Sequence, residues 1–130
     1  MRKLYLIAVL FILALSTGFS QSLHFCEGVN DQGQPVNSSS TFKIDRNGGY
    51  FFFLVQLPYQ INCTSVKFKI YKRGPSGNLT FDTSISTDTE RNWSWFWKQV
   101  TFTKPGNFEV EVVDCNGNSI VSRSVKVEYR

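Results

Sequence analysis

Beyond about residue 21 the apolar residues of this chain recur with a period of two. "SVKFKIYKR" alternates Val66, Phe68 and Ile70 with Lys67 and Lys69, and "GNFEVEVVD" alternates Phe108, Val110 and Val112 with Glu109 and Glu111. Each run has one apolar and one polar face, the signature of a half-buried strand. "YFFFLVQLP", Tyr50 to Pro58, is apolar at nearly every position, which predicts a central strand covered on both sides. "LTFDTSIS" and "SIVSRSVKVEY" predict weaker strands, and short ones are expected at "STFKI" and "LHFCE". Between these runs lie "NDQGQP", "DRNGG", "LPYQIN", "RGPSGN", "KPGN" and "DCNGN", all rich in turn-forming residues. No helical period, internal repeat or low-complexity tract is found. Short strands separated by turns predict an antiparallel β-sandwich of seven or eight strands.

The first residues break this pattern. "MRKLYLIAVLFILALSTGFSQ" carries Arg2 and Lys3, an apolar run from Leu4 to Leu15, and then small polar residues, the layout of a secretory signal peptide. Cleavage after Ser20 is expected to leave residues 21–130 as one domain, secreted to the periplasm or beyond the cell, with no membrane span once the leader is gone. Two of the positive charges behind the formal +4, Arg2 and Lys3, depart with the leader. The remaining basic residues cluster only at "KFKIYKR", where they alternate with core positions, so nucleic acid is not an expected partner.

The stretch "FTKPGNFEVEVVDCNGNSIVSRSVKV", Phe102 to Val127, resembles the last three strands of bacterial immunoglobulin-like domains: a Pro-Gly corner, an aromatic residue, alternating valines, an Asn-Gly turn and a valine-rich closing strand. The resemblance implies an immunoglobulin-like antiparallel β-sandwich. Two features of antibody-type domains are missing. Phe68 stands near the place of the core Trp, and Phe108 replaces the corner tyrosine. The likeness carries a fold and no activity.

Three cysteines in an oxidising compartment predict one disulfide and one spare thiol. In the fold the resemblance implies, the connections that hold Cys63 and Cys115 share a pole, which favours a Cys63–Cys115 bond. The first strand starts near the same pole, so Cys26 is an alternative partner for either. His24 joined to Cys26, Cys63 and Cys115 would make a Cys₃His metal site, the basis of an alternative reading as a metal- or redox-handling protein.

Catalytic machinery is not evident. The only histidine, His24, lies near the mature N-terminus, and no nucleophile elbow, zinc-protease motif or phosphate loop occurs. The chain is therefore expected to be a non-enzyme without a cofactor. Its most distinctive stretch is "NWSWFWKQVTF", which holds all three tryptophans at alternate positions. Val100 and Phe102 place Phe96 on the core face. Trp93, Trp95, Trp97 and Gln99 are then expected to share the outer face. Such a face can be covered by the N-terminal segment "LHFCEGVNDQGQPVNSSS", by a protein partner or second copy, or by a glycan stacking on the indoles. The expected function is an exported module that works by contact, with carbohydrate binding through the same tryptophans as the alternative.

Overall fold

The structure, a computed structural model, describes residues 20–130; residues 1–19, nearly all of the expected leader, lie outside it. The described residues form nine strands: β1 (Ser22–Val29), β2 (Pro35–Ser38), β3 (Thr41–Ile44), β4 (Gly49–Gln56), β5 (Ser65–Arg73), β6 (Leu79–Asp88), β7 (Trp95–Phe102), β8 (Gly106–Val113) and β9 (Ser119–Tyr129). They make two sheets, one ordered β2-β1-β4-β7 and the other β3-β9-β8-β5-β6. This is an immunoglobulin-like β-sandwich. No helix among the described residues is long and apolar enough to cross a membrane.

The alternating patterns set which residues face inward. Leu23 and Phe25 of β1, Phe51, Phe53 and Val55 of β4, and Phe96, Val100 and Phe102 of β7 meet Val66, Phe68 and Ile70 of β5, Phe108, Val110 and Val112 of β8, and Val125 and Val127 of β9. Phe51 lies at the centre of an aromatic stack, 4.0 Å from Phe42 and 5.0 Å from Phe102 between ring centroids. Each such ring contributes roughly 1.5–3 kcal/mol by leaving water.

Two departures from the expected architecture arise at one place. β2 is an additional strand, so there are nine where seven or eight were predicted, and β3 pairs with β9 in parallel, from Thr41 opposite Lys126 to Ile44 opposite Tyr129. The chain leaves the first sheet after β2 and reaches the second at Ser40, whose carbonyl accepts from Lys126 N–H at 2.8 Å. It therefore arrives alongside the last strand running in the same direction. The tight Asp45–Gly48 turn then returns it to the first sheet as β4.

Three hairpins close with one turn. In Asn30–Gln34, Gly74–Asn78 and Asp114–Asn118 the first residue's N–H donates to the fifth residue's carbonyl, and the fourth residue, a glycine at φ between 77° and 88°, donates back to the first. Only glycine adopts this conformation cheaply, which is why "NDQGQ", "GPSGN" and "DCNGN" all carry it at the same place.

Candidate functional site

In the first sheet the outward positions form a lattice. Its rows run from β7 through β4 to β1: Trp95–Gln56–Ser22, Trp97–Leu54–His24 and Gln99–Phe52–Cys26, with Tyr50 beside Thr101 beyond them. Tyr50 is 61% and Trp97 47% exposed, yet Leu54, directly opposite Trp97, is fully buried. Phe52 meets Trp97 edge-on at 5.4 Å and Tyr50 edge-on at 6.2 Å. The result is a continuous ridge, Tyr50–Phe52–Trp97, on the outside of the sandwich. The expectation that β4 is covered on both sides is thus corrected, because its outer side is covered at Leu54 and open at Tyr50. Sequence reasoning missed Tyr50 and Phe52 for that reason; a tyrosine at the outward phase of an otherwise apolar strand was the available signal.

The tryptophans divide. Phe96, Val100 and Phe102 are buried, so Trp95, Trp97 and Gln99 do face outward. Trp93 does not continue the row. β7 begins at Trp95, and Trp93 sits in a turn held by its own N–H to the Glu90 carbonyl at 3.0 Å. The Pro58–Ile61 loop follows that turn, with Leu57 N–H donating to Ser94 and Ile61 N–H to Trp93. The expected three-indole ladder is therefore two strand residues and one turn residue. All three nevertheless line one cavity of about 390 Å³, together with Asp88 and Phe96.

One indole is covered from within. The β1–β2 turn folds over the sheet so that Gly33 packs on the Trp95 ring, and Gln56 Nε2 donates to the Gly33 carbonyl at 2.8 Å. Gln56 Oε1 in turn accepts from Ser22 Oγ at 3.2 Å and lies 3.0 Å from His24 Nε2. The N-terminal segment covers Trp95, while Trp93 and Trp97 stay in solvent.

Cys63 and Cys115 are joined by a disulfide, with Cα atoms 5.8 Å apart. Cys63 is buried, and its carbonyl accepts from the Thr89 hydroxyl at 2.6 Å. Cys26 lies elsewhere, buried on the outer side of β1, with Sγ donating to the Phe52 carbonyl at 3.8 Å. The proposed gathering of His24, Cys26, Cys63 and Cys115 is corrected: two sulfurs are consumed by the disulfide, and His24 is engaged with Gln56. No group of three His, Cys, Asp or Glu side chains comes together among the described residues.

Burial pushes the Cys26 thiol above its ordinary value of 9.0, with the backbone amides of Gly28 and Val36 partly offsetting the rise. A raised folded-state value favours the protonated form in the fold. Its stabilisation is present below the unfolded value and is lost as pH rises through the folded one. Native protein at pH 8 is expected to resist alkylation at Cys26 and to yield one reactive thiol in denaturant. Rapid native labelling would show that β2 does not seal β1.

The other sheet presents a different surface. Glu109 accepts from Ser122 Oγ at 2.8 Å and Ser124 Oγ at 2.5 Å, and pairs with Arg73 at 3.4 Å, while Tyr71 donates to Glu111 at 3.3 Å. These groups pair with one another. A wider groove of about 860 Å³ beside β3 has Glu27, Lys43, Asp45 and Arg130 along it, of which Arg130 and Asp45 already form an ion pair at 3.1 Å.

Similar folds occur in solved structures at low identity. An immunoglobulin-like protein from Pseudomonas aeruginosa is matched with a TM-score of 0.51 and 13% identity, covering 82% of this chain and 92% of that one. The PmoD soluble domain from Methylocystis sp. is matched with a TM-score of 0.51 and 8% identity, covering 85% of this chain and 93% of that one. At these identities the likeness concerns the fold alone. No protein-family model matches the chain, and no curated protein matches it in sequence.

Proposed function

We propose that this chain is an exported, non-catalytic contact module that binds a protein partner through the outer face of the β2-β1-β4-β7 sheet. The observation that carries the reading is the contrast between its two outer faces. One is largely polar, with Glu109 joined to Arg73, Ser122 and Ser124 and with Leu79 and Phe81 open only at its β6 edge, and the other carries the continuous aromatic ridge Tyr50–Phe52–Trp97 across the middle of its sheet. Aromatic side chains bury much area at little entropic cost, which is why they concentrate at interface centres. The ridge favours a protein over a polysaccharide. Its rings meet at 71° and 87°, so they offer no coplanar platform for successive sugars.

A photo-reactive phenylalanine analogue at Trp97, introduced in cells that produce the full chain, is expected to give discrete protein adducts. The same group at Ser122 on the polar face is expected to give none. Identical patterns from both faces, or no adduct from Trp97, would overturn the reading.

A further inference from the structure

We propose that the cavity lined by Trp93, Trp95, Trp97 and Asp88 is a binding site for a quaternary ammonium group. The inference goes beyond the contact reading, since it concerns a small ligand and needs no partner on the Tyr50–Phe52 ridge. Three observations lead to it. The cavity, about 390 Å³, is large enough to hold a whole small molecule. Three indoles line it, the aromatic rings to which an organic cation is most strongly attracted, while the side chain of Phe96, also along it, is buried in the core. Its single charged wall is the Asp88 carboxylate, which makes no ion pair among the described residues. The neighbouring Arg91 guanidinium donates to the Asn62 carbonyl at 3.2 Å and forms no ion pair with Asp88, and Glu90 adds a second negative charge to the same turn.

The lining also discriminates between ligand chemistries. A sugar needs alternating donors and acceptors, and one carboxylate supplies acceptors alone. A primary ammonium holds its water tightly and would find only Asp88 among the lining side chains to accept from it in exchange. A trimethylammonium group has no N–H to satisfy. It presents methyl groups to the indoles while its diffuse charge meets both their π faces and the carboxylate. The turn from Asp88 to Trp93 is fastened by Thr89 N–H to the Thr64 carbonyl and by Ile61 N–H to the Trp93 carbonyl, so its geometry is set before any ligand arrives.

Tryptophan fluorescence of the purified chain is the direct test. Choline is expected to shift the emission saturably, with a dissociation constant below roughly 10 mM. Its uncharged tert-butyl analogue, of the same shape, is expected to bind at least about tenfold more weakly. Asp88→Asn and Trp93→Ala, both at exposed positions, are each expected to weaken choline binding without altering the thermal midpoint. The same trimethylammonium group occurs free in solution and on zwitterionic lipid. Sedimentation with phosphatidylcholine vesicles separates the sources: co-sedimentation abolished by Trp93→Ala assigns the lipid headgroup, and its absence beside free-choline binding assigns a solute. The proposal is overturned if choline gives no saturable change, if the neutral analogue binds equally well, or if vesicles bind where free choline does not. None of these outcomes depends on the cross-linking from Trp97, so the two readings fail separately.

Discussion

Removing the Cys63–Cys115 cross-link is expected to cost the fold about 4 kcal/mol. The two cysteines are 52 residues apart in sequence, and β5, β6, β7 and β8 all lie between them. Closing so long a loop removes much of the denatured chain's freedom, and the loss returns when the bond is absent. The bond also ties the loop entering β5 to the turn between β8 and β9, where Cys115 N–H points at Cys63 Sγ at 3.2 Å. For a domain whose whole stability lies in the range of about 5–15 kcal/mol, this is a large share. The variant to compare is Cys63→Ala with Cys115→Ala, because a lone Cys63 substitution would leave an unpaired thiol at Cys115. Urea denaturation of that double variant against the parent should show the midpoint falling, with the thermal midpoint lower by on the order of 15 °C. A loss below about 1 kcal/mol would mean that the denatured chain is already restrained around these strands.

How much of this was legible in the sequence depends on whether the deciding interactions are local. The phase of β7 was readable because Val100 and Phe102 continue the row of Phe96 into the core. The start of β7 was not, since "NWSW" keeps alternating while the backbone turns. What ends the strand at Trp95 is the distant Leu57–Ile61 segment, whose amides take the carbonyls of Ser94 and Trp93. β2 was invisible for a related reason. "PVNS" has no apolar alternation, and it is a strand only because the Asn30–Gln34 turn lays it against β1, Gly28 opposite Val36. The parallel pairing of β3 with β9 joins residues 85 apart, as Thr41 opposite Lys126, and no local pattern encodes it. Of the candidate site, the outward direction of Trp95, Trp97 and Gln99 was readable. The Tyr50–Phe52 part was hidden, because an unbroken apolar run does not reveal which of its two faces lacks a cover.

The cover over Trp95 leads to the second large effect, expected for Gly33→Ala. Gly33, Gly77 and Gly117 occupy the same place in three equivalent turns, at φ of 77°, 88° and 84°. An alanine at any of them adopts a left-handed backbone that costs about 1 kcal/mol. At Gly77 and Gly117 nothing lies within 4 Å of an added Cβ, so that cost is the whole effect. At Gly33 the new Cβ would stand 2.7 Å from Trp95 Cγ and closer still to Cδ2. The rigid, half-buried indole has no free end to swing aside, so the turn itself must lift. Lifting it stretches the Gln56 Nε2 bond to the Gly33 carbonyl and opens the contact that hides Trp95. Gly33→Ala is therefore expected to destabilise the domain by about 2–3 kcal/mol, at least about 1 kcal/mol more than Gly117→Ala. A red shift of tryptophan emission in the folded state should accompany the loss in the first variant and not in the second. Equal losses and unchanged emission would mean that the turn does not sit on Trp95 in solution. All three indoles would then be open to solvent, and the covering role assigned to the N-terminal segment would pass to whatever binds there.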